Sequence, residues 1–127
     1  MGESLDINVD GSIAVLTMNR PEKRNAMSDG LLAEIDEFFR KPDAGVRVAV
    51  LHGAGGHFCA GLDLSEHVAR DAEGTLYHSR GWHEVMDRVQ SSGLPVVSAL
   101  SGAVIGGGLE LATATHVRVA EPDCIFQ

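Results

Sequence analysis

The chain has 127 residues, of which 44% are hydrophobic and 22% are charged, and its formal net charge is −8. This length fits one domain with a buried core, and the negative charge argues against nonspecific binding to nucleic acid or to an anionic membrane. No apolar run reaches the roughly 18 residues of a membrane span, and the acidic N-terminus lacks the apolar segment of a signal peptide. We therefore expect a cytoplasmic protein that has neither nucleic acid nor a membrane as a partner.

The first predicted elements are a β-hairpin and a helix. Residues 5–9 alternate between apolar and polar side chains, Asp10-Gly11 is a strong hairpin signal, and residues 13–18 form the returning strand. The polar stretch NRPEKRNAM, residues 19–27, follows and is called the basic loop here. Ser28 can then cap a helix that runs to Arg40, because apolar residues recur at helical spacing after it: Leu31, Leu32, Ile35, Phe38 and Phe39.

Strands and helices alternate through the rest of the chain. Residues 46–51 and 96–100 are short apolar runs typical of buried strands, and each precedes a glycine-rich stretch. These stretches are called the first glycine loop, residues 53–61, and the second glycine loop, residues 102–108. A short helical piece is predicted to begin in LDLSEHVA after the first loop. Further predictions are helices over 75–90 and 107–115 and a strand over 117–120.

The cysteines and histidines form no pattern typical of a metal site. Cys59 and Cys124 lack the spacing of a zinc motif, and two cysteines do not make a disulfide framework. Two histidine pairs have members five residues apart, a spacing that does not place both on one face of a helix. We expect no bound metal, a reducing compartment, and Cys59 as a small core residue rather than a nucleophile.

The alternation of strands and helices predicts an α/β fold with parallel strand pairing. Ligands of such sheets bind beyond the carboxyl ends of the strands, so the two glycine loops should converge on one site. Neither loop has the Walker phosphate pattern, the third glycine of the dinucleotide pattern or the nucleophile elbow. The remaining chemical use is an oxyanion hole, in which N–H groups from two loops hold an oxygen that gains charge. Glu110, in the first turn of the predicted helix, can exchange protons beside that oxygen.

Three stretches, NRPEKRNAM, HFCAGLDL and SGAVIGGGLELA, in this order and spacing resemble the enoyl-CoA hydratase/isomerase, or crotonase, family. The resemblance runs from the first hairpin to the last residue. It implies a crotonase-like spiral of ββα units, acyl-CoA thioester substrates and a homotrimer or homohexamer. Coenzyme A is then part of the substrate, and no separate cofactor is expected. Residues 1–127 are expected to be a crotonase-like N-terminal domain that is incomplete at its C-terminus.

The resemblance also implies roles for individual residues. The backbone N–H groups of Leu62 and Gly107 would be the oxyanion donors, and Glu110 falls where hydratases of the family carry one of two catalytic glutamates. The second glutamate would lie at about position 130, beyond Gln127, and would complete the acid–base pair. The apolar end of the chain, residues 124–126, would then expose apolar surface and tend to associate.

Contacts to coenzyme A or to the acyl group are implied for Arg24, Ala26, Ala60, Asp63 and Leu64. The cations of the basic loop, Arg20, Lys23 and Arg24, form either a solvated turn or a contact to the phosphates of coenzyme A. Asp63 is also a candidate helix cap, which is the interpretation that the residues alone favour.

The expected reaction is the addition of water to a 2-enoyl-CoA thioester through an enolate held in the oxyanion hole. Isomerisation, thioester hydrolysis and dehalogenation are alternatives, because relatives use the same oxyanion hole for them. An isomerase can work with Glu110 as its single carboxylate. A non-catalytic CoA-binding fragment is the alternative outside enzymology. The helix over 75–90 has a core stripe of Trp82, Val85, Met86 and Val89 that could also line the acyl pocket, and His83 is either a packing or a pocket residue.

Overall fold

Strands and helices alternate along the chain in the computed structural model, which describes residues 4–66 and 71–127. The predicted α/β class is confirmed. The strands are β1 (Leu5–Asp10), β2 (Ile13–Met18), β3 (Val48–Gly53), β4 (Val96–Leu100), β5 (Ala103–Val104), β6 (Val117–Ala120) and β7 (Ile125–Phe126). The α-helices are α1 (Asp29–Arg40), α2 (Ala72–Ser91) and α3 (Gly107–Ala114), and single 3₁₀ turns cover Pro21–Lys23, Ala54–Gly56 and Leu64–Glu66.

Five of the strands form one sheet in the order β1-β2-β3-β4-β6. β1 and β2 are antiparallel and are joined by a two-residue turn between the paired residues Asp10 and Ile13, with Gly11 at φ 62°. The other three pairings are parallel. Parallel neighbours need a crossover connection, and α1, α2 and α3 supply the three crossovers in turn. The carboxyl ends of β3 and β4 therefore lie side by side, and each leads into a glycine loop.

Helix α1 begins and ends where the sequence predicts. The Ser28 hydroxyl oxygen accepts a hydrogen bond from Leu31 N at 3.1 Å and so satisfies a free N–H of the first turn. All five apolar residues of the predicted stripe are buried. They pack in one core with the inward side chains of the sheet, which include Leu16, Leu51 and Val96.

Helix α2 is longer than predicted because its cap lies further upstream. Asp71 accepts a hydrogen bond from Gly74 N at 2.7 Å, so the helix begins at Ala72 rather than Thr75. Trp82, Val85 and Val89 are buried, as the stripe predicts. The short helical piece predicted after the first glycine loop is a single 3₁₀ turn, Leu64–Glu66, and the remainder of that prediction lies outside the described residues.

The sequence prediction misplaced both ends of β3 and missed two short strands. β3 spans Val48–Gly53 rather than 46–51. The Val46 N–H donates to Asp43 O in the preceding loop, and the Arg47 N–H donates to Ser12 O in the turn between β1 and β2. β5 and β7 have two residues each and pair in parallel, and such short pieces carry no periodic pattern. Ile125 of β7 is 57% exposed. Within residues 4–66 and 71–127, no helix is both long and apolar enough to cross a bilayer.

Candidate active site

The two glycine loops lie against each other and are joined by backbone hydrogen bonds. Phe58 N donates to Ser101 O at 2.8 Å, and Cys59 N donates to Ala103 O at 3.0 Å. Ile105 N in turn donates to Cys59 O at 3.1 Å, so the two segments pair as in a parallel sheet. The predicted convergence of the loops at the carboxyl ends of β3 and β4 is confirmed. Any chemistry that needs N–H groups from both loops can therefore take place at one point.

The three successive glycines at the start of α3 meet three different needs. Gly106 has φ 54° and ψ −116°, a backbone conformation that L side chains rarely adopt. A Cβ on Gly107 would lie 2.9 Å from Trp82 Cη2, so the indole ring occupies the space of a side chain. A Cβ on Gly108 would lie 2.1 Å from Cys59 O in the first glycine loop. The glycines therefore let α3 start sharply and pack tightly on the other loop.

The two predicted oxyanion donors, Leu62 and Gly107, carry N–H groups that have no acceptor among the described residues. Met27 N donates to Gly61 O at 2.6 Å, and Asp63 N donates to Met27 O at 2.9 Å, so both neighbours of Leu62 face Met27. Successive N–H groups of an extended segment point to opposite sides, and Leu62 N–H therefore points away from Met27. Within residues 4–66 and 71–127, neither Leu62 N–H nor Gly107 N–H donates a hydrogen bond.

The Leu62 and Gly107 segments are in contact at this point. A Cβ on Gly107 would lie 3.4 Å from Leu62 Cδ2. Gly107 is the first residue of α3, where N–H groups have no partner inside the helix and the helix dipole favours negative charge. Within the described residues, the structure thus brings two unpaired donors, Leu62 just after the first glycine loop and Gly107 in the second, into segments that touch.

Glu110 lies on the same face of α3 as Gly107, since the two are three residues apart. Its side chain is exposed and lines a pocket of about 180 Å³ whose other lining residues are Trp82, His83, Met86, Gln90, Thr113 and Ala114. Trp82 lies against Gly107 as well as in this pocket, so the indole borders both. His83, predicted as either a packing or a pocket residue, lines the pocket and has Nδ1 2.8 Å from Ser79 O.

The residues predicted to contact coenzyme A surround the junction of the basic loop and the first glycine loop. Ala60 N donates to Arg24 O at 3.0 Å, which places Arg24 and Ala60 next to each other. The Arg24 side chain is exposed, and Ala26 and Ala60 are half-buried. Leu64 is 76% exposed. The structure thus joins Arg24 and Ala60, and the contacts of all four residues to a ligand stay a prediction.

Asp63 has the capping role that its sequence context favours. Its Oδ1 accepts hydrogen bonds from Ser65 N at 3.1 Å and from Ser65 Oγ at 2.6 Å, at the start of the 3₁₀ turn Leu64–Glu66. Its Oδ2 lies 3.0 Å from Arg20 Nη2. The Ser65 hydroxyl and the Arg20 guanidinium together lower the pKa of Asp63 to about 2. Because both oxygens have partners within the protein, substrate binding by this carboxylate stays a prediction.

Arg20 differs from the other cations of the basic loop. Its guanidinium donates to Ala26 O through Nη1 and to Asp63 through Nη2, and its side chain is 16% exposed. Lys23 and Arg24 are exposed. Neither alternative, a solvated turn or a phosphate contact, therefore applies to all three cations. The Arg20 side chain is largely buried and bonded within the protein, whereas Lys23 and Arg24 carry the exposed charge of the loop.

Asn25 is a residue of the site region to which the sequence analysis gave no role. It is fully buried, with φ 58°, and its Oδ1 accepts a hydrogen bond from Arg20 N at 2.8 Å. Its Nδ2 donates to Ala54 O at 2.9 Å and to His57 O at 2.7 Å in the first glycine loop. From the sequence, an asparagine in a polar loop could have indicated a residue with positive φ, because asparagine tolerates that conformation. It could not have predicted which residues form hydrogen bonds with the side chain.

The other sequence predictions around the site concern cysteines and metals. Cys59 is fully buried, and burial raises the pKa of its thiol, which agrees with the core interpretation. Both cysteines are free thiols. In the described part of the chain, no three His, Cys, Asp or Glu side chains are grouped as ligands for a metal ion.

Comparisons with known proteins identify the family. The family model for enoyl-CoA hydratase/isomerase matches residues 8–127. A Bacillus subtilis protein named "probable enoyl-CoA hydratase" is 38% identical over 124 residues, which are 94% of this chain and 47% of that protein. A crystal structure from Rhodopseudomonas palustris, named "putative enoyl-CoA hydratase", superimposes with a TM-score of 0.93 at 48% identity, covering 97% of this chain and 48% of that one.

A third relative carries a different activity in its name. The peroxisomal delta(3,5)-delta(2,4)-dienoyl-CoA isomerase of Arabidopsis thaliana is 31% identical over 135 residues, which cover 94% of this chain and 48% of that protein. The chain belongs to the enoyl-CoA hydratase/isomerase family, and the predicted crotonase-like fold is confirmed. It spans about half the length of the curated relatives that it matches.

Proposed function

We propose that the protein to which this chain belongs adds water to a 2-enoyl-CoA thioester. The observation that carries the proposal is the pair of N–H groups without a partner among the described residues, Leu62 just after the first glycine loop and Gly107 in the second, in segments that touch. Two donors aimed at one oxygen stabilise the enolate that forms when a nucleophile adds to the conjugated thioester. Family membership supports an acyl-CoA substrate and a lyase-type reaction.

Glu110 is proposed to remove a proton from the attacking water. The water oxygen bonds to C3 while the C2=C3 electron pair moves into the thioester as the enolate. The enolate then collapses, and C2 takes a proton from a second acid. Glu110 suits the first role because its carboxylate lies at a pocket beside Trp82, on the same helix face as Gly107. The second acid is proposed to be a glutamate at about position 130, because one carboxylate cannot hold both places.

Coenzyme A is proposed to bind where the basic loop meets the first glycine loop. Lys23 and Arg24 are exposed cations in a chain of net charge −8, so they form a local site for phosphate groups. Ala26, Ala60 and Leu64 offer backbone and apolar surface beside them. The proposal includes coenzyme A as part of the substrate without a separate cofactor, a homotrimer or homohexamer, and a cytoplasmic location.

A second candidate reaction is the shift of a double bond in an enoyl-CoA. Glu110 is the one carboxylate among the residues that line its pocket in the described part of the chain. An isomerase needs a single base that removes a proton from one carbon and returns it to another, while the oxyanion hole holds the dienolate between the two steps. The relative from Arabidopsis thaliana supports this alternative by its name.

The test compares two substitutions of Leu62 in the chain extended through its natural downstream sequence. Leu62→Ala keeps the backbone N–H and is expected to leave crotonyl-CoA hydration within about threefold of the parent. Leu62→Pro removes the N–H and is expected to lower the rate by about 10²–10³. The rate of hydration is measured as the loss of ultraviolet absorbance of the conjugated thioester. Circular dichroism confirms that each variant is folded.

Equal activity of the two folded variants would remove Leu62 from the oxyanion hole. A parent that leaves crotonyl-CoA unchanged but converts 3-enoyl-CoA to 2-enoyl-CoA would replace hydration by isomerisation. The 127-residue chain alone is expected to hydrate crotonyl-CoA far more slowly than the extended chain, because Glu110 by itself cannot perform both proton transfers. Full activity of the short chain would contradict the two-carboxylate mechanism.

A further inference from the structure

We infer that Arg20, Asn25 and Asp63 are positioning residues that fix the direction of the Leu62 N–H group. The three are called the brace. The inference rests on the proposed function, since it concerns the same oxyanion hole. None of the three needs to touch the substrate for this role, because they act on the backbone on both sides of Leu62.

The brace holds both strands of the short pairing that orients Leu62. Met27 pairs with Leu62 through two hydrogen bonds, to Gly61 O and from Asp63 N. The Arg20 guanidinium contacts Ala26 O on one strand and the Asp63 carboxylate on the other. Arg20 thus links the residue before Met27 to the residue after Leu62. The planar guanidinium fork sets a fixed distance between the two strands.

The pairing matters because it decides which way the Leu62 N–H points. An isolated two-residue bridge has few hydrogen bonds, and by itself it can open or twist. A rotation of the peptide between Gly61 and Leu62 would break the Met27 N to Gly61 O bond. The Arg20–Asp63 pair resists that rotation because it fixes the next residue. The Ser65 contacts to Asp63 Oδ1 hold the carboxylate in place for Arg20.

Asn25 ties the same unit to the first glycine loop upstream of Leu62. It accepts from Arg20 N and donates to Ala54 O and His57 O, and His57 is 32 residues from it in sequence. A Cβ on Gly53 would lie 2.6 Å from Asn25 Nδ2, so the amide fills the space beside the end of β3. His57 Nδ1 in turn accepts from Ala103 N in the second loop, at 3.0 Å. The brace therefore reaches the segment that leads to Gly107.

The chemical consequence follows from the tolerance of an oxyanion hole. Donors stabilise the developing charge only when they lie within hydrogen-bond distance of the oxygen, and an error of about 1 Å can cost about 100-fold in rate. Loss of the brace is expected to reduce the stabilisation of the transition state. Ground-state binding of coenzyme A should change less, because the exposed cations Lys23 and Arg24 stay in place. The expected signature is a lower kcat with little change in KM.

The experiment uses the chain extended through its natural downstream sequence and the probe p-dimethylaminocinnamoyl-CoA. Absorption of this thioester moves to longer wavelength when N–H groups polarise its carbonyl. Arg20→Met is expected to reduce that shift and to lower kcat for crotonyl-CoA by about 10- to 100-fold, with probe affinity within about threefold. Arg20→Lys keeps the charge without the fork and is expected to fall between Arg20→Met and the parent.

The matched control is Arg88→Met. Arg88 also pairs with an aspartate from a distant element, Asp36 of α1 at 2.5 Å, but it lies on α2 outside the brace. It is expected to lose stability while keeping the parental absorption shift and kcat. Should Arg20→Met not fold, Asp63→Asn takes its place, because it breaks the ion pair and stays close in shape to the original side chain.

The outcomes separate the inference from the proposed function. A parent that shifts the probe, together with a folded Arg20→Met or Asp63→Asn variant that shifts it equally and keeps kcat, overturns the brace alone. A parent that binds the probe without any shift overturns the oxyanion hole, and the brace with it. A reduced shift in Arg88→Met of the same size as in Arg20→Met would show a general stability effect and would also overturn the inference.

Discussion

Side-chain hydrogen bonds support the first glycine loop along its length, whereas the glycine run that ends the second loop is held by close packing. Asn25 donates to two carbonyl groups of the first loop, and Arg20 fixes Asp63 just beyond it. Within residues 4–66 and 71–127, a side chain accepts from the second loop only at Ala103 N, through His57 Nδ1, and Gly108 packs directly on Cys59 O. Both loops lead to one free N–H group each. An available N–H group is thus held in place by a different kind of local support in each loop.

This difference indicates how each loop should respond to substitution. A loop held by side chains loses stability when a polar partner is removed, since buried polar groups are left without hydrogen bonds. A loop held by backbone approach tolerates changes of its exposed side chains but not an added methyl group at the contact. We expect the chemistry itself to depend on α3, which follows the second loop. Four predictions test this contrast.

Glu110→Gln is expected to have the largest effect, and on turnover only. Glutamine has nearly the same shape but cannot accept a proton, so crotonyl-CoA hydration should fall by about 10²–10⁴ in the extended chain. Stability and acyl-CoA affinity should stay near the parental values because the side chain is exposed. The control is Glu84→Gln, an exposed glutamate of α2, which should keep full activity. A parental rate in Glu110→Gln would show that Glu110 of α3 is not the base.

Gly108→Ala is expected to lower the free energy of unfolding by about 2–3 kcal/mol, despite the higher helix propensity of alanine. The added Cβ would lie 2.1 Å from Cys59 O, and backbone of the first loop must move to admit it. Urea denaturation measures the change. Gly81→Ala, in α2 with no atom within 4 Å of the new Cβ, is the matched control and should gain about 0.5–1 kcal/mol. Equal stability of Gly108→Ala and the parent would refute close backbone packing.

Asn25→Ala is expected to cost about 2 kcal/mol of stability, because it leaves Arg20 N, Ala54 O and His57 O without their partner. Alanine is also less favourable than asparagine at φ 58°. Asn19→Ala, in the same loop but exposed, should change stability by less than about 0.5 kcal/mol. If both variants unfold at the same urea concentration, side chains do not hold the first loop.

Asp63→Asn is expected to have the smallest effect on stability of the three variants that lower it, and one that depends on pH. The pKa of Asp63 is lowered from 3.8 to about 2 by the Ser65 hydroxyl and the Arg20 guanidinium. Its contribution to stability is therefore present above about pH 4 and is lost as the pH falls towards 2. The parent should exceed Asp63→Asn in stability at pH 6, and the difference should shrink at pH 2.5. A constant difference at both pH values would contradict this charge-based support.

Much of the fold could be predicted because its signals are local. Ser28 and the apolar residues after it lie within one helix, so α1 was predicted with its cap and its buried face. β4 and β6 were predicted with the observed bounds from short apolar runs. The upstream cap Asp71 was missed, which made the predicted α2 too short at its start. β5 and β7 were missed because two residues are too few to show alternation.

Of the site, the sequence pattern predicted the two glycine loops, their convergence beyond parallel strands and Glu110 as a candidate, and the family resemblance implied Leu62 and Gly107. Only the tertiary structure decided that Arg20 and Asp63 pair across 43 residues and that Asn25 is buried between two loops. A local pattern reports what a residue does with its near neighbours in the chain. Hydrogen bonds between distant loops form only when the sheet has brought those loops together, so no spacing in the sequence records them.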